Sequence, residues 1–445
     1  MKKIALLTLV SLFFGFSALF CQISDGGLAY MGSNSNIFYG GVGLTTIDSE
    51  TGSNTYFNIH LRPELAFGKL GVGLNINLLF DTQSGEIRKE DWDKPEAWLQ
   101  QIRYIRWGRK FDPLYIKAGT LDAARLGHGS IVNYYSNAAS WDNRKFGAAL
   151  DVDFGVAGFE TMASNFARSE LMAGRAYVRP LRMAAPIPVI QNLSIGATYA
   201  QDFDPDGHGA SEDGVSVYGF DAELPLIKNS TFGLYFYYDW AQIAGSDYYS
   251  ATDKSRTFGT GQFAGVAADL GSILGLAEFH AKFERRWLGK EFLPAYFDAF
   301  YEVQRYQEGG LRKTDMLLGV TEETTGWFGE FWGKILDDRV RLLGMYAFLD
   351  DVSESGALHF ELDAPDLVPV LAMHATYDKV GINTIGDVFT LDNHSIARVG
   401  AGYKINPFLI MYLDYIWTFE ETAPGSNQYR PQERFEPKLV LAYKF

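Results

Sequence analysis

The sequence predicts an all-β fold, a single transmembrane antiparallel β-barrel of 18–22 strands, with 22 the best count. Three observations carry this. Apolar and polar residues alternate with period two along most of the chain, as they do in a strand with one oily and one polar face. Aromatic residues reach 15% of 445 residues, with 33 Phe and 25 Tyr, more than a soluble core needs and suited to aromatic girdles. Connections alternate between short turns and longer polar loops.

Taken in order, the chain opens with Lys2 and Lys3, an apolar run from Ile4 to Phe20, and then Cys21. This reads as a cleaved secretory signal over residues 1–21, leaving 22–445 as one barrel domain. Cys21 is the only cysteine, so the exported chain is expected to carry neither a disulfide framework nor a thiolate metal site. A net charge of −15 argues against a nucleic-acid partner. Strand-like sequence begins near Asn36, leaving no room for an N-terminal plug domain, and no linker divides the rest.

The strands sort alike. Leu70, Val72, Leu74, Ile76, Leu78 and Phe80 alternate with Gly71, Gly73, Asn75 and Asn77. Phe232, Leu234, Phe236, Tyr238 and Trp240 form one oily face, and Leu409, Met411, Leu413, Tyr415 and Trp417 another. In 277–287, Glu278, His280, Lys282, Glu284 and Arg286 share a face opposite Ala277, Phe279, Ala281 and Phe283. A Lys or Arg at a bilayer midplane costs roughly 2–4 kcal/mol, so that row must look into a lumen or into water. Segment 97–110 breaks phase and is expected to hold a bulge. Turn chemistry marks Gly68-Lys69, Gly155-Val156, Lys228-Asn229, Gly271-Ser272, Asp337-Asp338 and Asn406-Pro407. Longer loops are expected at 82–96, 120–143, 203–213, 242–256, 378–393 and 421–433.

The last stretch, RFEPKLVLAYKF, places Phe435, Leu439, Leu441, Tyr443 and Phe445 on one face. It resembles the C-terminal strand of Gram-negative outer-membrane proteins. That resemblance implies an assembly signal in Leu439, Leu441, Tyr443 and Phe445, with a barrel assembly machinery and outer-membrane lipid as partners; the even strand count places both termini in the periplasm.

Three candidate chemistries stand out. Lys117, Lys145, Arg175 and Arg179 fall on the polar phase of neighbouring strands. Asp151, Asp153, Asp221, Glu223, Glu278, Glu284 and Asp414 lie elsewhere around the ring with Lys282, so opposed charge rows should line a lumen selecting small polar solutes. Loop 203–213 follows Asp202, and Asp202, Asp204, Asp206 and Gly207 repeat the first half of a calcium loop, with Asp213 at its twelfth position. A Ca2+ ion in an extracellular loop is therefore expected as an option, against a plain acidic surface loop. Loop 120–143 is long and weakly charged, so it either folds into the lumen or caps the mouth. Its His128, Ser130 and Asn133 or Asn137 resemble the His-x-Ser and Asn set of outer-membrane phospholipase A, which implies a lipid hydrolase as a minor alternative. The leading expectation is a non-enzymatic porin or selective channel. A structural or adhesive barrel with a plugged interior is its rival.

Overall fold

Period-two alternation becomes a closed ring. The computed structural model describes residues 37–444 except 50–51, 90–91, 94–97, 100, 139–144, 167, 169, 183–188, 206–212, 230, 246–255, 274–275, 306–311, 337–338, 393 and 422–428. Phe445 and the proposed signal therefore lie outside the described residues. Among the described residues there are 21 strands, β1 (Ile37–Ser49) to β21 (Tyr429–Lys444). Each pairs antiparallel with its sequence neighbour, with one exception described below, and β1 pairs with β21 from Ile37↔Lys444 to Val42↔Leu439. The sheet thus has no free edge along that seam, which removes the aggregation hazard of an open strand.

Twenty strands form the ring, two fewer than the best sequence count. β3 (Leu70–Leu74) and β4 (Ile76–Asp81) are one line interrupted at Asn75. Both pair with β2 (Gly52–Phe67), but only β3 pairs onward with β5 (Ile102–Trp107). The far edge of β4 carries only a Phe80–Ile87 bridge among the described residues. Among the described residues, 289–323 holds no strand.

The expected phase break is a bulge at Arg103. Gly73 pairs with Tyr104 and Leu74 with Ile102, so Arg103 is the extra residue. Its carbonyl accepts from Thr120 N at 2.7 Å. A bulge turns two consecutive side chains to the same face, and here Arg103 and Tyr104 both line the interior. At the terminal end the turns are mostly short. Gly68 and Gly155 make two of them at φ 62° and 86°, which a side chain would strain.

Charged and polar side chains point inward, and large apolar ones point out. On β14 (Ala277–Leu288), Lys282 is 7% exposed and Glu284 1%, whereas Phe283 between them is 52% exposed. On β12 (Phe232–Gly245), Asp239 is buried while Phe236 and Tyr238 stand exposed. Leu439 and Leu441 of β21 are likewise exposed. A soluble sandwich would show the reverse distribution.

Candidate functional site: a lumen divided by two inward loops

The connection after β6 (Leu114–Gly119) runs to β7 (Gly147–Asp153), and the one after β14 runs to β15 (Thr324–Ile335). Both lie at the end opposite the termini, and both fold into the barrel. They brace each other through backbone bonds: Phe297 N donates to Ile131 O at 3.1 Å, Asn133 N to Phe297 O at 3.1 Å, and Ala295 N to Ser130 O at 2.8 Å. Two short helices, α1 (Tyr301–Gln304) and α2 (Lys313–Leu317), fill the second loop.

Apolar contacts seat them. Leu121, Leu126, Ile131, Val132 and Tyr135 of the first loop join Phe292, Tyr296, Phe297, Tyr301 and Leu317 of the second in one buried cluster. The same cluster takes inward-facing Val215, Val217, Ala241, Ile243, Phe258 and Phe263 from the wall. A second cluster joins Tyr134, Ala299 and Phe300 to Phe328, Leu343, Met345, Ala357 and Val380. The loops are thus packed against the arc from β8 to β18 and leave the opposite arc to the lumen.

Charges lock that packing. Arg125 of the first loop donates to Glu330 of β15 through both terminal nitrogens, Nη1 to Oε1 at 3.0 Å. Glu330 is 3% exposed and Arg125 7%. His128 places Nδ1 2.7 Å from Asp239 and Nε2 3.2 Å from Glu223. Its ring stacks on Tyr237 with centroids 4.2 Å apart, and its carbonyl accepts from Lys282 Nζ at 2.6 Å. Burial opposes the charge on His128, but Asp239 and Glu223 outweigh it and hold the pKa up to about 9. In the second loop, Lys313 and Asp298 pair at 2.9 Å. Burial pulls that lysine below its ordinary range and pushes the acid up, with each partner opposing the shift.

The residues expected to line the lumen are placed as follows. Arg175 donates to Asp221 through Nε at 2.9 Å and Nη2 at 2.6 Å, and to Glu160 at 2.7 Å. Lys110 bridges Asp151 at 2.8 Å and Glu160 at 2.9 Å. Arg179 pairs with Asp153 at 2.8 Å, and Lys117 with Asp122 at 3.3 Å. Lys282 and Arg286 both meet Glu284, at 3.1 and 2.7 Å. Asp414 faces His374 at 3.3 Å and Arg398 at 3.9 Å. Lys145 sits above the strands, pairing with Glu170 and Glu302. Glu278 lines a cavity at the terminal end. The opposed rows of the sequence reading are therefore mostly local pairs, within one strand, between strands one or two apart, or to the loops.

The calcium-like carboxylates have another counter-ion. Asp202 lies 3.4 Å from Arg305 Nε and accepts from Tyr301 Oη at 2.8 Å, and Asp213 accepts from Arg312 Nε at 2.9 Å. Asp204 contributes its carbonyl oxygen to Arg305, and Asp206 lies outside the described residues. These acids clasp the second inward loop. His128, Asn133 and Asn137 have partners other than Ser130. Asn133 accepts from Arg125 Nε at 2.7 Å, Asn137 caps Leu121 N at 2.8 Å, and a protonated His128 has no lone pair to act as a base.

No family model matches this sequence, and no curated protein matches it. Among solved structures the chain is similar to OpdL of Pseudomonas aeruginosa, at 10% identity over 92% of this chain and 96% of that one, TM-score 0.32. It is also similar to Wzi of Escherichia coli, an outer-membrane protein involved in group 1 capsule assembly, at 11% identity over 94% and 86%, TM-score 0.35. A third is the ferric enterobactin receptor PfeA of P. aeruginosa, at 10% identity over 92% and 82%, TM-score 0.36. Likeness at this level carries no functional information for the chain.

Below the first loop, on the terminal side, lies a cavity of about 830 Å³. Asp122, Arg125 and Leu126 form its ceiling, and β2, β5 and β6 form one wall. Arg103, Arg106, Arg125 and Glu330 were not singled out as lumen residues by sequence. The bulge hides Arg103 from a strict period-two reading, and Glu330 stands alone in an inward row of Gly326, Phe328 and Trp332.

Proposed function

We propose that the chain is an outer-membrane barrel of a diderm bacterium through which small polar solutes diffuse, past a constriction made by its two inward loops. No covalent bond is made or broken. The observation that carries the reading is the inversion of burial on β14, where Lys282 and Glu284 are enclosed and Phe283 is exposed. Outward apolar rows suit lipid, and the reverse orientation would place Lys282 and Arg286 in hydrocarbon at roughly 2–4 kcal/mol each. A ring of 20 strands is wider than the barrels that side chains alone can fill. Biogenesis would follow the route of other such barrels, through the assembly machinery.

The test is single-channel conductance of the purified, refolded protein in a planar bilayer. Discrete current steps are expected, and silence at all voltages would remove the channel reading while leaving the barrel. A structural or adhesive barrel is the second reading, favoured by the apolar clusters that the loops bury against β8 to β18. That reading gains if conductance is absent.

A further inference from the structure

We infer that the connection between β18 (Leu371–Ile382) and β19 (Ser395–Lys404) is a lipid-anchoring foot, which sets Ile385 and Phe389 into the acyl-chain margin of the leaflet around the loop end. The inference rests on the membrane-barrel reading. Ile385 is 82% exposed and Phe389 83%, more than any other large apolar side chain among the described residues. Unlike the two inward loops, this connection folds over the outside of the wall. On β18, His374 and Thr376 line the interior cavity, so Leu371, Met373, Tyr377 and Lys379 stand on the outward phase. On β19, Arg398 lines the cavity, which puts Ser395, Ala397, Val399 and Tyr403 outward. Leu371, Met373, Val399 and Tyr403 are exposed, as wall residues should be. Lys379, Ser395 and Ala397 are buried, although they share that face. A cover outside the barrel must lie on them.

Hydrogen bonds identify the cover as the connection itself. Lys379 Nζ donates to Thr390 O at 3.0 Å and Ser395 Oγ at 3.1 Å, and meets Asp392 at 2.6 Å. Outward Tyr377 donates from Oη to Val388 O at 2.7 Å. Trp417 of β20 (Leu409–Glu421), on the outward phase with exposed Met411 and Leu413, donates from Nε1 to Asp392 O at 3.2 Å. Tyr and Trp on the outer face of a barrel mark the boundary between acyl chains and headgroups. Here their polar tips hold loop carbonyls, so the connection occupies that boundary layer. Its own polar groups are met internally. Asp387 Oδ2 accepts from Asn383 N at 2.9 Å and Thr384 N at 2.7 Å. Phe389 N donates to Gly386 O at 3.2 Å, and Thr390 N to Asp387 O at 3.1 Å. Unmet backbone groups are what exclude irregular chain from hydrocarbon, and these bonds lower that cost. Ile385 and Phe389 thus continue the lipid-facing rows of β18 to β20, and burying them among acyl chains is favourable.

Fluorescence quenching tests this. A single bimane-labelled cysteine is introduced by Phe389→Cys, Met373→Cys or Ser353→Cys in a Cys21→Ser background, and the barrel is folded into phosphatidylcholine vesicles. Met373 reports the outer wall, and exposed Ser353 reports the 350–355 connection at the same end. A lipid with a nitroxide on a shallow acyl carbon should quench the label at 389 as strongly as at 373. Iodide in the water should quench it roughly fivefold less than at 353. Iodide quenching at 389 equal to that at 353, without lipid quenching, overturns the anchor. Protection from both quenchers, with disulfides forming between unlabelled Phe389→Cys copies on oxidation, assigns the patch to a second copy of the chain and overturns it as well. If Met373→Cys itself escapes the nitroxide lipid, the membrane-barrel reading fails and the anchor with it. Lipid quenching at 373 but not at 389 sinks the anchor alone. Lys379→Met releases the connection from the wall, so it should at least halve lipid quenching at 389 and leave that at 373 unchanged. An unaltered signal at 389 would show that this brace does not set the depth, which removes the mechanism proposed. Heat-modifiable migration establishes that each variant retains the barrel.

Discussion

Replacing Glu330 with Gln should loosen the first inward loop without opening the barrel. Five apolar side chains of that loop, Leu121, Leu126, Ile131, Val132 and Tyr135, are buried against the second loop and the wall. At roughly 1.5–3 kcal/mol each they supply on the order of 10 kcal/mol, an upper figure because the unfolded loop already hides some surface. The Arg125–Glu330 pair is a different kind of contact. Both partners are buried and the guanidinium is met by both carboxylate oxygens. Removing one charge strands the other, which typically costs about 3–5 kcal/mol. That is less than the apolar seating, so the loop should remain docked on average. Local opening should become more frequent by roughly two to four orders of magnitude, at about 1.4 kcal/mol per tenfold.

Hydrogen exchange reads this directly. Ala124 N donates to Tyr135 O at 2.8 Å, Tyr135 N to Ala124 O at 2.9 Å, and Leu126 N to Val132 O at 3.3 Å. These amides should exchange at least a hundredfold faster in Glu330→Gln, while the β12–β14 ladder stays protected. The charge-swapped pair, Arg125→Glu with Glu330→Arg, should recover part of the protection, and the double-mutant cycle gives the coupling. Unchanged loop exchange would refute the argument. So would acceleration spread evenly through the wall strands, since the pair would then be holding the sheet and not the loop.

Three further outcomes follow from the same geometry. His128 has a pKa raised to about 9, so its contribution to loop docking is fully present below its ordinary value near 6.5 and lost as pH rises through about 9. Exchange of the 124–135 amides, corrected for intrinsic rate, should therefore accelerate between pH 7 and 10 in the wild type, and His128→Gln should flatten that dependence. Gly73→Val should push Tyr104 off the β3 wall and change the single-channel current while the barrel still migrates as folded; an unaltered current would show that this wall is remote from the path. Calcium at millimolar concentration should leave the melting temperature unchanged, because Arg305 and Arg312 already meet Asp202 and Asp213, whereas Arg305→Ala should lower it by stranding buried Asp202.

The wall of this protein was legible in its sequence and the interior was not, for a physical reason. A strand's side chains alternate by covalent geometry, so the faces of 277–287 could be read residue by residue, and a bulge in 97–110 showed itself as a lost phase. Membership of a closed ring depends on long-range pairing, yet the alternation limited it well enough to bring the count within two strands. Loop 289–323 escaped because its aromatic residues, Phe292, Tyr296, Phe297, Phe300 and Tyr301, resemble the oily face of a hairpin. Nothing local distinguishes an aromatic that meets lipid from one that packs on another loop inside the barrel. At Asp202 and Asp213 the sequence showed the carboxylates but not their distant partners. Their spacing fits a cation, and each meets a guanidinium, Arg305 and Arg312, from about 100 positions later.

The inward loops also explain why this lumen needs so many buried charges. Within a water-filled pore an ionised side chain keeps its solvation, and a local partner is optional. Once the two loops fill the arc from β8 to β18, Arg175, Lys282, Glu284 and Glu330 lose that water, and an unpaired member would cost several kcal/mol. Pairing within a strand, across one or two strands and up to the loops is what that filled half requires. On the unfilled arc, Arg62, Glu64, Arg103, Arg106 and Lys117 of β2, β5 and β6 line the cavity at the terminal end. The division of the lumen into a packed side and a solvated side thus separates two roles for charge. One set holds the inward loops in place, and the other lines the cavity at the terminal end.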